Sequence, residues 1–161
     1  MSDGASGPSA DDLAALGRYA VALADGIEAA IGPWVERSVV ATIEASGGLV
    51  TGSMRLRARA AGDEATAAIA PRVRALLALD IDEQRTGPLA LLREAVVFPT
   101  IVLSEAGIEP AERDAQAIAL FPDDVYDLAP ASFADLDPAL ADAGIAWGAA
   151  KAHVHLARRR R

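Results

Sequence analysis

A chain of 161 residues, 52% hydrophobic and carrying a net charge of -8, is long enough to bury one core and too apolar to be a disordered tail. It has no cysteine, which excludes disulfides, thiolate catalysis and cysteine-based zinc or iron–sulfur sites. Aromatics are only 4% and alanine makes up about a quarter, so the core has to be built from small aliphatic side chains on closely approaching helices.

Residues 1–8 are rich in Gly, Ser and Pro and read as a disordered N-terminus. Residues 9–161 read as a single helical domain, with 63–158 as its core-forming part. The opening MSDGASGPSADD carries Asp rather than Lys or Arg and no apolar run, which does not fit a secretory signal. Ser9 is placed to cap a helix whose apolar positions Leu13, Leu16, Ala20, Leu23 and Ile27 recur at steps of three and four. Gly32 is expected to end it and Pro33 to open the next, through Trp34, Val35, Val39 and Ile43. Ser46-Gly47-Gly48 is a break. Leu49 to Ala61 alternates like a strand in MRLRARA, but Arg and Ala favour helix and no second strand signal exists to pair with it, so a helix is expected. Asp63 is a candidate cap for a further helix through Ala65, Ile69, Val73 and Leu77, with Pro71 as a kink or late start.

After the polar link 80–87, Pro88 suits a helix start. Leu89 to Ala106 is apolar nearly all round and is expected to be the central helix, bent by Pro99 and ended by Gly107. Its most apolar part, Leu89–Leu103, is too short for a bilayer and holds Arg93 and Glu94, so no membrane association and a cytoplasmic location are expected. Pro110 is expected to start a short helix to Leu120. Ser132 to Asp135 has the shape of a capping box, and Asp137-Pro138 is a second start signal. The last helix should run from near Gly144 to the terminal Arg quartet. The expected fold is therefore all-α, a single compact bundle of about six helices with a Pro-kinked central helix.

Charge is unevenly placed. Residues 105–142 carry ten acids and one base, whereas 143–161 carry five bases and no acid. Asp123, Asp124 and Asp127 could offer oxygen ligands to a divalent ion, although calcium-loop spacing is absent. His153 and His155 are two apart and point away from each other on a helix, so they cannot share a metal. Trp147, Lys151 and His155 fall four apart on one stripe. Gly144, Gly148 and Ala152 form a nearly bare stripe, expected to pack on the Leu89–Leu103 helix with Trp147 at its edge. Arg55, Arg57 and Arg59, together with Arg158, Arg159, Arg160 and Arg161, would make a phosphate track if they shared a face. The negative net charge and the lack of a stacking aromatic oppose that use. No Gly-rich phosphate loop, HExxH or GxSxG occurs, so no catalytic residue, metal ligand or cofactor is assigned.

The patterns FPDDVYDL, DLDPAL, WGAAKAHVHL and DEQRTGPLALLREAVVFPT resemble a set of small proteins of high-GC actinobacteria with no assigned activity. The resemblance spans about residues 70–158 and implies an all-helical fold and a bacterial cytoplasmic setting, but assigns no functional residue. The leading expectation is a non-enzymatic interaction protein that engages a protein partner or its own copy. Its candidate surface is Asp123, Asp124, Tyr126, Asp127, Trp147, Lys151 and His155. The alternatives are a nucleic-acid accessory protein using the Arg clusters, and a metal-dependent enzyme or binding protein built on the Asp123–Asp127 cluster.

Overall fold

The computed structural model describes residues 7–160, so the expectation for residues 1–6 and the place of Arg161 lie outside the described residues. The first helix begins where its chemistry predicts. The Asp12 amide donates to the Ser9 hydroxyl at 3.0 Å, and the Ser9 amide donates back to the Asp12 carboxylate at 3.1 Å. From there α1 runs Ala10–Ala45 without interruption, straight through Gly32 and Pro33. A proline inside a helix costs about 3 kcal/mol. Against it stand Leu23, Ile27, Ile31, Val35 and Val39, all fully buried on one stripe and each worth about 1.5–3 kcal/mol. Ending the helix at Gly32 would take Val35 and Val39, two of these five, off the stripe. Pro33 also sits on the solvent side, where the carbonyl it leaves without a donor is open to water.

Ser46-Gly47-Gly48 does end α1. Gly47 takes φ +83°, and the Gly48 and Gly47 amides donate to the carbonyls of Ile43 and Glu44. The two segments expected on either side of Asp63 form one helix, α2, Gly52–Ala78, capped by the Thr51 hydroxyl. Asp63 is an exposed mid-helix residue and no cap, and Pro71 again faces solvent.

Helices α1 and α2 form an antiparallel pair. Gly32 lies against Gly62 and Thr66, while Arg74 near the other end of α2 bonds Asp25 at 2.7 Å and Glu28 at 2.8 Å. The backbones come closest at Gly32 and Gly62. An added Cβ at Gly62 would sit 2.8 Å from the Gly32 carbonyl oxygen. Ala58, Ala61 and Ala65 continue this small-residue face, as the alanine-rich composition implied. Gly32 is thus a packing residue and not a stop.

The stretch expected to be the central helix is divided. It forms α3, Pro88–Arg93, a 3-10 turn Glu94–Val96, and α4, Val97–Glu105. Pro99 has no amide to offer the Ala95 carbonyl and crowds it, so the backbone tightens just upstream. Gly107 closes α4 at φ +74°. The segment is kinked as expected but peripheral. It lies across α1 and α2, with Leu92, Leu103 and Pro99 buried and Val97 and Ile101 left in solvent. The centre is α1, which packs against α2, α4, α6 and α7, so the core extends well outside 63–158.

After α4, residues 109–114 run without helix, and α5 starts at Ala115, capped by Asp114, rather than at Pro110. Helix α6 is the single turn Phe133–Leu136, with the Asp135 carboxylate accepting from the Ser132 and Ala131 amides. The last helix, α7, starts at Leu140, earlier than Gly144, and ends at Arg159. It runs antiparallel to α1. Leu140 sits over Gly26, and His153 reaches Asp12 at 3.3 Å. The protein is all-α, and among the described residues no strand occurs.

Candidate functional site

Proline and aspartate hold the acidic segment in a shape that divides its residues between two jobs. Asp124 is buried, and its carboxylate accepts from the Leu128 amide at 2.7 Å and the Ala129 amide at 2.9 Å. Both oxygens are spent on folding the loop back on itself. Tyr126 is also buried, with its hydroxyl donating to the Ile108 carbonyl at 2.6 Å, which ties the loop to the end of α4. Asp127 holds φ +57°, a left-handed turn that Asp tolerates better than most residues. Only Asp123 and Asp127 face solvent. The expected surface therefore loses Asp124 and Tyr126. A divalent ion needs several converging carboxylates, and among the described residues no group of three His, Cys, Asp or Glu is placed to hold one.

On α7 the expected stripe turns out of the interface as it climbs. Each step of four residues advances about 40° around the helix. Trp147 is buried on α1, Lys151 is half-covered with its ammonium 4.9 Å from the Trp147 ring centroid, and His155 is exposed. Val154, seven residues after Trp147, stays fully buried. This face lies against α1, whereas Asp123 is held beside α3, so the seven candidate residues do not form one surface. His153 is exposed and lies 3.3 Å from the Asp12 carboxylate.

The bare stripe does not pack on Leu89–Leu103. Gly144 meets the Phe133 ring, Ala152 is exposed, and a Cβ at Gly148 would meet nothing within 4 Å. The contact side of α7 is instead Leu140, Trp147 and Val154, set against α1. Larger side chains won because α1 already presents small residues such as Gly26 at that crossing.

The two arginine clusters stand at opposite ends of the molecule. Arg55, Arg57 and Arg59 lie in the first turns of α2, while Arg158 binds Asp80 and Asp82, just past the end of α2. Twenty-one residues of helix separate Arg57 from Ala78, about 32 Å. Arg57 is itself paired with Glu105, and Arg158 bonds Asp80 at 2.8 Å and Asp82 at 3.0 Å. The Arg158 guanidinium holds the Asp80 carboxyl at about 2, and these carboxylates raise Arg158 above the usual arginine value. Arg159 and Arg160 are exposed, and among the described residues no continuous phosphate track joins the clusters.

A different feature stands out on the surface. Leu120 is 62% exposed, Val97 42% and Phe121 37%, around a groove of about 370 Å³ that Asp123 and Glu94 flank. Arg93 stacks 5.4 Å over the Phe121 ring, donates to the Pro130 carbonyl and so fixes one wall. Arg113 donates to the Phe121 carbonyl and fixes the other end. The sequence shows Leu120 and Phe121 only as the apolar end of a short helix. Nothing local marks them as uncovered.

Taken as a class, the molecule is an all-α bundle built on a long helical hairpin. No helix of the described residues is long and apolar enough to cross a membrane. Comparison of the chain with family models, curated proteins and solved structures finds no match.

Proposed function

We propose that the chain is a non-enzymatic helical interaction protein that takes a basic, amphipathic segment of a partner protein in the groove between α3–α4 and α5. The observation that carries this reading is the group of large apolar side chains left in solvent around that groove, Val97, Leu120 and Phe121. Apolar side chains gathered round one groove and rimmed by polar residues are a feature of interaction sites, whereas the more exposed Leu49, Leu56 and Ile145 line no groove with them. The charge of the segment selects the partner. The segment 109–127 exposes Glu109, Glu112, Asp114, Asp123 and Asp127 against Arg113, and the groove wall itself adds Glu94 and Arg93, whose guanidinium is turned onto the Phe121 ring. A second copy meeting the same face would set acid against acid, so a basic partner fits better than a symmetric dimer. The cytoplasmic, bacterial setting belongs to the same proposal and rests on the resemblance to actinobacterial proteins.

A photo-reactive amino acid at Ala90, on the rim, tests this in native lysate. The expected result is a cross-link to a defined partner whose captured peptide is basic and amphipathic, lost in Leu120→Asp with unchanged helicity. Cross-links that are indiscriminate, or that survive Leu120→Asp, would refute the reading. Sedimentation showing self-association through the same residue would replace the partner by a second copy.

A further inference from the structure

Helix α7 has two apolar faces. Leu140, Trp147 and Val154 are buried against α1, and the opposite side of the helix is open to solvent. On that open side stand Ile145, Ala149, Ala152 and Leu156, at steps of four, three and four. All four are exposed, Ile145 at 70% and Leu156 at 53%. Such steps put them on one stripe about 16 Å long, the seam by which one helix packs on another. A lone exposed leucine is ordinary surface, whereas an unbroken apolar seam with no polar side chain in it marks a contact.

The order of sizes along the seam is self-complementary. Consider a second copy of α7 laid on it antiparallel, about a two-fold axis between Ala149 and Ala152. Ala149 then meets Ala152 of the second copy, and Ile145 meets its Leu156 at each end. Two crossing helices are closest at the crossing and diverge away from it, so small residues belong at the centre and large ones outside. Gly148 beside the centre is clear of other contacts, since a Cβ there would meet nothing within 4 Å.

Charge sets the direction. Asp142 lies at one end of the seam and Arg159 and Arg160 at the other, with no acid between Asp142 and the end of the helix. Lys151, His153 and Arg158 already face Trp147, Asp12 and the Asp80–Asp82 pair. Asp142, Arg159 and Arg160 take part in no ion pair among the described residues. A parallel pair of helices would set these arginines against their own copies. The antiparallel pair brings Asp142 beside them twice, once at each end, and also opposes the two helix dipoles.

We propose that the open face of α7 binds a second copy of the chain, forming an antiparallel two-fold dimer. A single helix crossing buries less than the roughly 1,200 Å² of a standard interface, so the dimer is weak, with a Kd of about 10–500 µM. The face is independent of the groove at Phe121 and its basic partner.

Sedimentation equilibrium of the full chain at neutral pH, about 0.1 M salt and concentrations up to about 1 mM, tests it. A monomer–dimer equilibrium in the stated range is expected. Ala149→Glu sets two carboxylates in the crossing and should weaken the dimer at least about tenfold; the residue is exposed and Glu is a good helix former, so helicity should not change. Asp142→Arg should weaken it about threefold or more, and the double variant Asp142→Arg/Arg160→Asp, which restores opposite charges only in the antiparallel pair, should recover most of the loss. Leu120→Asp should leave the dimer intact. A chain that stays monomeric to about 1 mM, a dimer that survives Ala149→Glu, or a charge exchange that fails to recover binding would each overturn the proposal. So would a monomer that binds phosphatidylglycerol vesicles through the same residues, because the face would then belong to lipid.

Discussion

Replacing Gly62 by alanine tests whether the α1–α2 contact is a true backbone approach. In an open helix the change should stabilise by about 0.5–1 kcal/mol, because glycine loses more conformational freedom on folding. Gly62 is different. Its new Cβ would lie 2.8 Å from the Gly32 oxygen and 3.0 Å from the Gly32 Cα, both backbone atoms of a 36-residue helix that cannot swing aside like a side-chain tip. Restoring ordinary contact means separating the helices by several tenths of an ångström along a face lined by Ala58, Ala61 and Ala65. Such overpacking costs about 1–3 kcal/mol, which exceeds the propensity gain, so a net loss of about 0.5–2 kcal/mol is expected. For a chain of this size that is a fall in Tm of about 1–8 °C. The assay is thermal and urea unfolding of Gly62→Ala beside Gly17→Ala, whose Cβ meets nothing within 4 Å and which should rise by about 0.5–1 kcal/mol. If both variants gain stability equally, the helices are not in backbone contact at Gly62 and the account of α1 running through Gly32 fails.

Gly148→Leu should unfold within about 0.5 kcal/mol of the parent by urea titration, because the position is open and the contact side of α7 is Leu140, Trp147 and Val154. Asp124→Ala should lose about 2–4 kcal/mol, since it strands the Leu128 and Ala129 amides in a buried loop, while Asp124→Asn keeps one acceptor and should lose less; chemical denaturation of the pair decides. The Asp80 carboxyl is depressed from 3.8 to about 2 by Arg158, so the stability it adds is fully present above about pH 5 and drains away as pH falls through 2. Unfolding measured from pH 7 to 2 should therefore show a shallower acid slope in Asp80→Asn than in the parent, and an unchanged slope would deny the pair any role. Ser9→Ala removes the cap of α1 and should cost about 0.5–2 kcal/mol, read as faster amide exchange in the first turn.

The sequence by itself determined the all-α class, the cap at Ser9, the glycine ends at Gly47 and Gly107, the Pro99 kink and the Asp135 cap. Each is settled by a few neighbouring residues: a side-chain oxygen within reach of a free amide, a glycine able to take positive φ, a ring with no N–H. Only the tertiary structure decided that Gly32 and Pro33 lie inside one helix, because the deciding partner, Gly62, is thirty residues away. The same holds for the acidic segment. Nothing local distinguishes Asp123 from Asp124, yet one faces solvent and the other is buried under two amides. The arginines read alike until the length of α2 sets the clusters apart, and Leu120 resembles any core leucine until no element arrives to cover it. Capping and turn chemistry act over a few ångströms of contiguous chain, whereas burial and charge pairing belong to surfaces that exist only once distant segments have packed.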